Sequence, residues 1–86
     1  YIGKGQKYFS KLGVGEFYIE AGEFEVGDKL LIVGPTTGAL YVTATDIHGD
    51  HGHVDKALKG MRVAIPVPEK VRPSDKLYKI VKTGNE

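Results

Sequence analysis

The sequence contains no cysteine, which excludes disulfide staples, thiolate metal sites and a cysteine nucleophile. Its longest unbroken apolar run, Leu30–Val33, is far shorter than the ~20 residues a membrane-spanning helix needs. No charged-then-apolar leader opens the chain, so no signal peptide is read. A first residue that is Tyr1 and not methionine is expected of a domain cut from a longer protein. A cytoplasmic location without a membrane partner follows as the expectation. Serine occurs only at Ser10 and Ser74, neither in a nucleophile-elbow sequence. Gly34-Pro35-Thr36-Thr37-Gly38 lacks the lysine and the following helix of a phosphate-binding loop. Glu23 and Glu25 alternate on what reads as an exposed loop, where solvent keeps both ionised. No catalytic residue and no cofactor is therefore expected. Absent too is any apolar rhythm of 3.6 residues sustained over three turns.

Short apolar stretches between regularly spaced glycines are the pattern of strands and turns. Six strands are predicted: Ile2–Phe9, Val14–Glu20, Lys29–Val33, Leu40–Ile47, Arg62–Val67 and Lys76–Val81. Gly3 and Gly5 weaken the first strand or admit a bulge. The second alternates at its centre, which sends Phe17 and Ile19 to the core. Leu30 and Ile32 point inward in the third, and the facing of the fourth stays open. Val54–Leu58 has room for one short helical turn and no more. With 86 residues, a single domain buries only ~60–65% of its unfolded surface. Six short strands must then hide their edges. The expectation is an all-β domain over residues 1–81, a small closed six-stranded Greek-key-like barrel, with residues 82–86 as a frayed tail.

Net charge is +1, but the charges are segregated. Residues 1–11 hold Lys4, Lys7 and Lys11 and no acid. Residues 12–55 set eight acids against Lys29, and residues 56–85 set eight bases against Glu69 and Asp75. If the terminal strands lie side by side, one face of the domain is positive. Lys4, Lys7, Tyr8 and Lys11 at the start, with Lys76, Tyr78 and Lys79 at the end, interleave cations and rings. A lysine meets a phosphate as a point charge and a ring can stack on a base. The plainer reading is solvated surface charge with tyrosines half-buried at a rim.

Two polar turns invite further readings. Asp46-Ile47-His48-Gly49-Asp50-His51-Gly52-His53 places three imidazoles and two carboxylates in eight residues. His48, His51 and His53 are weak metal candidates, since a glycine-punctuated turn shows no distant ligand to close a cage; a polar hairpin and a pH-sensing role are the alternatives. Gly34–Gly38 exposes two threonine hydroxyls at a rim, either to meet a phosphate or peptide or as a tight connection between strands.

The most informative stretch is Gly22-Glu23-Phe24-Glu25-Val26-Gly27-Asp28-Lys29-Leu30-Leu31-Ile32-Val33. Gly27 turns the chain, the Asp28 carboxylate accepts from nearby backbone amides, and Val26 is expected to pack beneath. Ser74-Asp75 and Lys59-Gly60 offer two further turns of the kind. This order of glycines, strands and Gly-Asp turns resembles the second domain of translation GTPases such as elongation factor Tu. It resembles especially the C-terminal domain of the collagenase-like peptidase family (peptidase class U, family thirty-two). The resemblance covers residues 1 to 81. It is carried by Gly22, Val26, Gly27 and Asp28, then by Ala57-Leu58-Lys59-Gly60 and Ser74-Asp75-Lys76-Leu77. Met61 departs from the pattern, standing where an acid often follows the glycine. Ser74 departs too, standing where a glycine often precedes the last aspartate.

The resemblance implies a barrel that sits beside another domain and helps to hold RNA or a protein neighbour, with chemistry elsewhere. The expected function is an accessory binding module touching RNA or a neighbouring domain. The alternative is a purely structural or dimerisation domain of a collagenase-like peptidase. Neither the ligand nor the oligomeric state is legible at this level.

Overall fold

The computed structural model describes residues 1–81; the expected frayed tail lies outside the described residues. Every regular element in it is a strand. They are β1 (Gly3–Phe9), β2 (Val14–Ile19), β3 (Glu23–Glu25), β4 (Lys29–Gly34), β5 (Gly38–Thr43), β6 (His48–Gly49), β7 (Gly52–His53), β8 (Lys56–Leu58), β9 (Arg62–Pro66) and β10 (Lys76–Lys79). The six longest coincide with the six read from the sequence, with ends that differ by a few residues.

Four short strands are additional, and one replaces the expected helical turn. Lys56–Leu58 pairs antiparallel with Glu23–Glu25, placing Ala57 opposite Phe24. Both of those side chains are buried. Lys56 lies 3.9 Å and 4.0 Å from the carboxylates of Glu23 and Glu25. The two glutamates thus stand on a strand and not on a free loop.

The large sheet has the order β5-β4-β10-β1-β2-β9-β6-β7, all pairs antiparallel. Its two ends, β5 and β7, do not pair with each other, so the hydrogen-bonded ladder is open where a closed six-stranded barrel was expected. The sheet nevertheless wraps one core, to which β3 and β8 also contribute. Phe17, Ile19, Leu30, Ile32, Ile65 and Leu77 lie fully buried in it, as alternation requires. The facing of β5 is decided by Val42, which is buried, while Tyr41 is 68% exposed. No buried side-chain nitrogen or oxygen among the described residues lacks a hydrogen-bond partner.

The turn at Gly27 works through backbone and carboxylate. Gly27 adopts φ 99°, and the Glu25 N–H donates to Oδ2 of Asp28 at 2.9 Å. Gly27 N–H donates to Ala44 and Ala44 N–H to Asp28, lashing the turn to the end of β5. Val26 does not pack underneath: it is 43% exposed, and its N–H donates to the Asp55 carbonyl. The residue beneath this part of the chain is Phe24, two positions earlier and on the inner side of β3. Gly60 turns the chain with φ 93°. Before β10, Asp75 is buried and accepts from Arg72 N–H at 2.9 Å and from the Thr37 hydroxyl. That contact occupies one of the two hydroxyls read as free at the Gly34–Gly38 rim.

Candidate functional site

The terminal strands do lie side by side, with Lys4 directly opposite Lys76. Strand pairing extends that contact into a row. Val33 faces Lys76, Lys4 faces Tyr18, and Tyr18 faces Arg62. All of these point away from the core, since their neighbours Ile32, Leu77, Phe17 and Val63 point into it. From Lys76 to Arg62 the row crosses three strand spacings, roughly 14 Å. Beside it, Tyr78 faces Leu31, which faces Tyr41, and the Tyr1 ring meets Tyr78 edge-on at 5.9 Å. The outer surface therefore carries three cations in line, flanked by tyrosines.

One extra residue determines which of the expected side chains join this face. The β1–β2 register shifts between Gly5 and Lys7, making Gln6 a bulge. Beyond it Lys7 is opposite Glu16 on the outer side, with its ammonium 5.7 Å from the Phe9 ring centroid. Tyr8 is opposite Gly15 and packs against the core, so it is absent from the face on which it was expected. Lys11 sits in the exposed turn between β1 and β2. Lys79 lies on the inner side of β10 at the sheet's end, 3.3 Å from Asp28. Tyr18 and Arg62 were missed because neither sits among the interleaved lysines and tyrosines of the terminal strands; only register brings them beside Lys4.

Acid tempers the row at one end. Glu20 lies 3.5 Å from Lys4 and accepts a hydrogen bond from the Tyr1 hydroxyl. That bond first, then Lys4, holds the Glu20 carboxyl below its ordinary range, and the same bond raises the Tyr1 phenol above its own.

The histidine-rich stretch forms a second cluster. His48 and His53 are cross-strand partners in a hairpin turning at Asp50-His51. Asp46 binds both, Oδ2 to His48 Nε2 at 3.0 Å and Oδ1 to His53 Nδ1 at 2.8 Å. The His53 contact is the larger of the causes that lower the Asp46 carboxyl pKa. His51 stands apart, lining a groove with Tyr18, Arg62 and Met61. A second groove runs along the outer side of β1, β2 and β9, lined by Phe9, Leu12, Val14, Ala64 and Pro66 and ended by Asp46 and His48.

No protein-family model matches the chain. A collagenase of Porphyromonas gingivalis is 56% identical over 82 residues, which takes in 95% of this chain and 23% of that protein. An uncharacterized protease of Methanocaldococcus jannaschii is 30% identical over 82 residues, 95% of this chain and 20% of that one. The chain thus spans about a fifth of the length of the curated relatives it matches. Among solved structures, the C-terminal domain of a Geobacillus thermoleovorans protein described as a U32 peptidase superposes with a TM-score of 0.86. That match has 19% identity and covers 94% of this chain and 92% of that one. A selenomethionine variant of the same domain gives 0.83. The chain is homologous to a segment of the collagenase and shares the fold of the peptidase C-terminal domain.

Proposed function

We infer that this chain is a non-catalytic accessory module of a larger collagenase- or protease-like protein, and that its outer face binds single-stranded RNA. One observation carries the reading: Lys76, Lys4, Tyr18 and Arg62 stand in register across four adjacent strands. A row of cations follows a phosphate backbone, and rings beside it offer stacking platforms that tolerate any base. The resemblance to the second domain of translation GTPases that the sequence suggests over residues 1 to 81 is in keeping with the same partner. Catalysis belongs, in this reading, to the remaining four-fifths of the larger protein. A cytoplasmic location goes with an RNA partner; no helix among the described residues is long and apolar enough to cross a membrane.

The protein-facing alternative has its own observation. Phe9, Leu12 and Val14 line an outer groove, and Leu12 is 74% exposed. Apolar surface of that kind suits a protein neighbour or a second copy.

Fluorescence anisotropy with a labelled single-stranded oligoribonucleotide at about 50 and about 200 mM salt separates the two readings. Binding at the lower salt that weakens at the higher is expected. Lys4→Gln with Lys76→Gln should weaken it and reduce the salt slope by ~1.4, since each phosphate contact on a single strand contributes ~0.7. Lys79→Gln should leave binding unchanged, because Lys79 is turned to Asp28. No binding at the lower salt overturns the RNA reading, and light scattering that shows a dimer favours the alternative.

A further inference from the structure

Asp46, His48 and His53 bring one carboxylate oxygen and two imidazole nitrogens within 4.8 Å of one another. The cluster is held by the fold and not by a free loop. Ile47, next to Asp46, is fully buried, and its carbonyl accepts from Val54 N–H at 2.9 Å. His48 is paired both to His53 and to Ala64 of β9, and the two imidazole centroids lie 4.2 Å apart. Each carboxylate oxygen of Asp46 faces a different ring. As hydrogen bonds alone, these contacts require His48 to carry its proton on Nε2 and His53 on Nδ1. A single cation bound by all three groups takes the lone pairs of the same two nitrogens, which places the protons on Nδ1 of His48 and Nε2 of His53 instead.

We propose that Asp46, His48 and His53 form a three-ligand site for a divalent transition-metal ion, with zinc the best fit, open on one side toward the groove of Phe9, Leu12 and Val14. Two imidazoles with one carboxylate are the donor set of zinc sites that keep a free position, whereas calcium and magnesium select oxygen. Tetrahedral zinc with ~2.05 Å bonds sets its ligand atoms about 3.3 Å apart. The three ligand atoms already lie within 4.8 Å of one another, and rotation of these exposed side chains draws them to that spacing. All three side chains are partly solvent-exposed, so the ion enters without unfolding the chain. Bound there, it joins the β6–β7 hairpin at the sheet's edge to the segment that leaves β5. Its fourth position is left for water or for a histidine or carboxylate of a partner lying in the groove. The site is independent of the lysine row, and neither proposal needs the other.

Calorimetric titration of zinc chloride into the chelator-treated chain tests the site, with cobalt absorption reporting the coordination number. One saturable site per chain is expected, with the intense visible bands of four- or five-coordinate cobalt. Asp46→Asn and His53→Ala should each weaken zinc by at least about tenfold, the scale on which metal sites respond to lost support. His51→Ala should leave it unchanged, because that imidazole lies outside the group. Circular dichroism matching the parent confirms that each variant is folded. Equal loss in His51→Ala and His53→Ala overturns the proposal, as does the absence of a saturable site. Octahedral, weakly absorbing cobalt overturns the three-ligand geometry.

Discussion

A methyl group placed on Gly34 would lie 1.9 Å from Oδ1 of Asp75, 41 positions further along the chain. Gly34 ends β4, while Asp75 precedes β10, the strand that pairs beside it. The carboxylate is 1% exposed and is satisfied by the Arg72 amide and the Thr37 hydroxyl. It ties the β4–β5 turn to the turn that feeds β10, and thereby sets the strand that carries Lys76.

Gly34→Ala should therefore act as a break in that tie and not as a mild surface change. The added carbon displaces a carboxylate that has no room to move, leaving buried donors unpaired. A loss of ~2–4 kcal/mol is expected. Urea unfolding should show a lower midpoint at an unchanged slope. A loss below ~0.5 kcal/mol would mean that the carboxylate finds another seat.

Ser74 has φ 71°, a left-handed conformation that side chains with a Cβ disfavour. Ser74→Gly removes a strain of ~1–2 kcal/mol and adds back part of it as unfolded-state entropy. A net gain of ~0.5–1 kcal/mol is expected, seen as a rise of roughly 2–8 °C in Tm for a domain of this size. An unchanged or lower Tm would show that the turn gains something from the serine itself.

Glu20 provides a pH signature at the end of the lysine row. Its carboxyl pKa lies below 4.5, chiefly through the Tyr1 hydroxyl and then through Lys4. A depressed acid contributes stability that is present above 4.5 and lost as pH falls through its folded value. The raised Tyr1 phenol contributes below 10.0, and that contribution is lost as pH rises through its folded value. Tyr1→Phe should move the Glu20 carboxyl up toward 4.5 in an NMR titration. A Glu20 midpoint that stays put would assign the shift to Lys4.

The legible parts of this fold share a property: they lie in strands of four residues or more. Glu16-Phe17-Tyr18-Ile19 alternates long enough to reveal a strand and its inner face. The same holds for Leu30-Leu31-Ile32. The strands of two or three residues, β3, β6, β7 and β8, are too short to display a period. Lys56-Ala57-Leu58 was for that reason assigned to a helical turn, although its pairing with β3 makes it a strand. Val26 misled in a similar way, because a residue beside a turn can face either side. For the candidate sites, the lysines and histidines were visible as clusters. Their partners were not. Tyr8 and Lys79 leave the expected face, while Tyr18 and Arg62 enter it through pairing, and of the histidine-rich stretch only Asp46, His48 and His53 come together, without His51.

The order of residues alone dictated the all-β class, the six long strands, the inward Phe17, Ile19, Leu30 and Ile32, and the glycine-aspartate turns. These rest on backbone preference and side-chain alternation, which act between near neighbours. Tertiary structure alone decided that the ladder stays open between β5 and β7, that Gln6 bulges, and that Lys4 meets Lys76, Tyr18 and Arg62. Register between distant strands is set by the packing of the whole core, and a shift of one residue moves a side chain from one face of a sheet to the other.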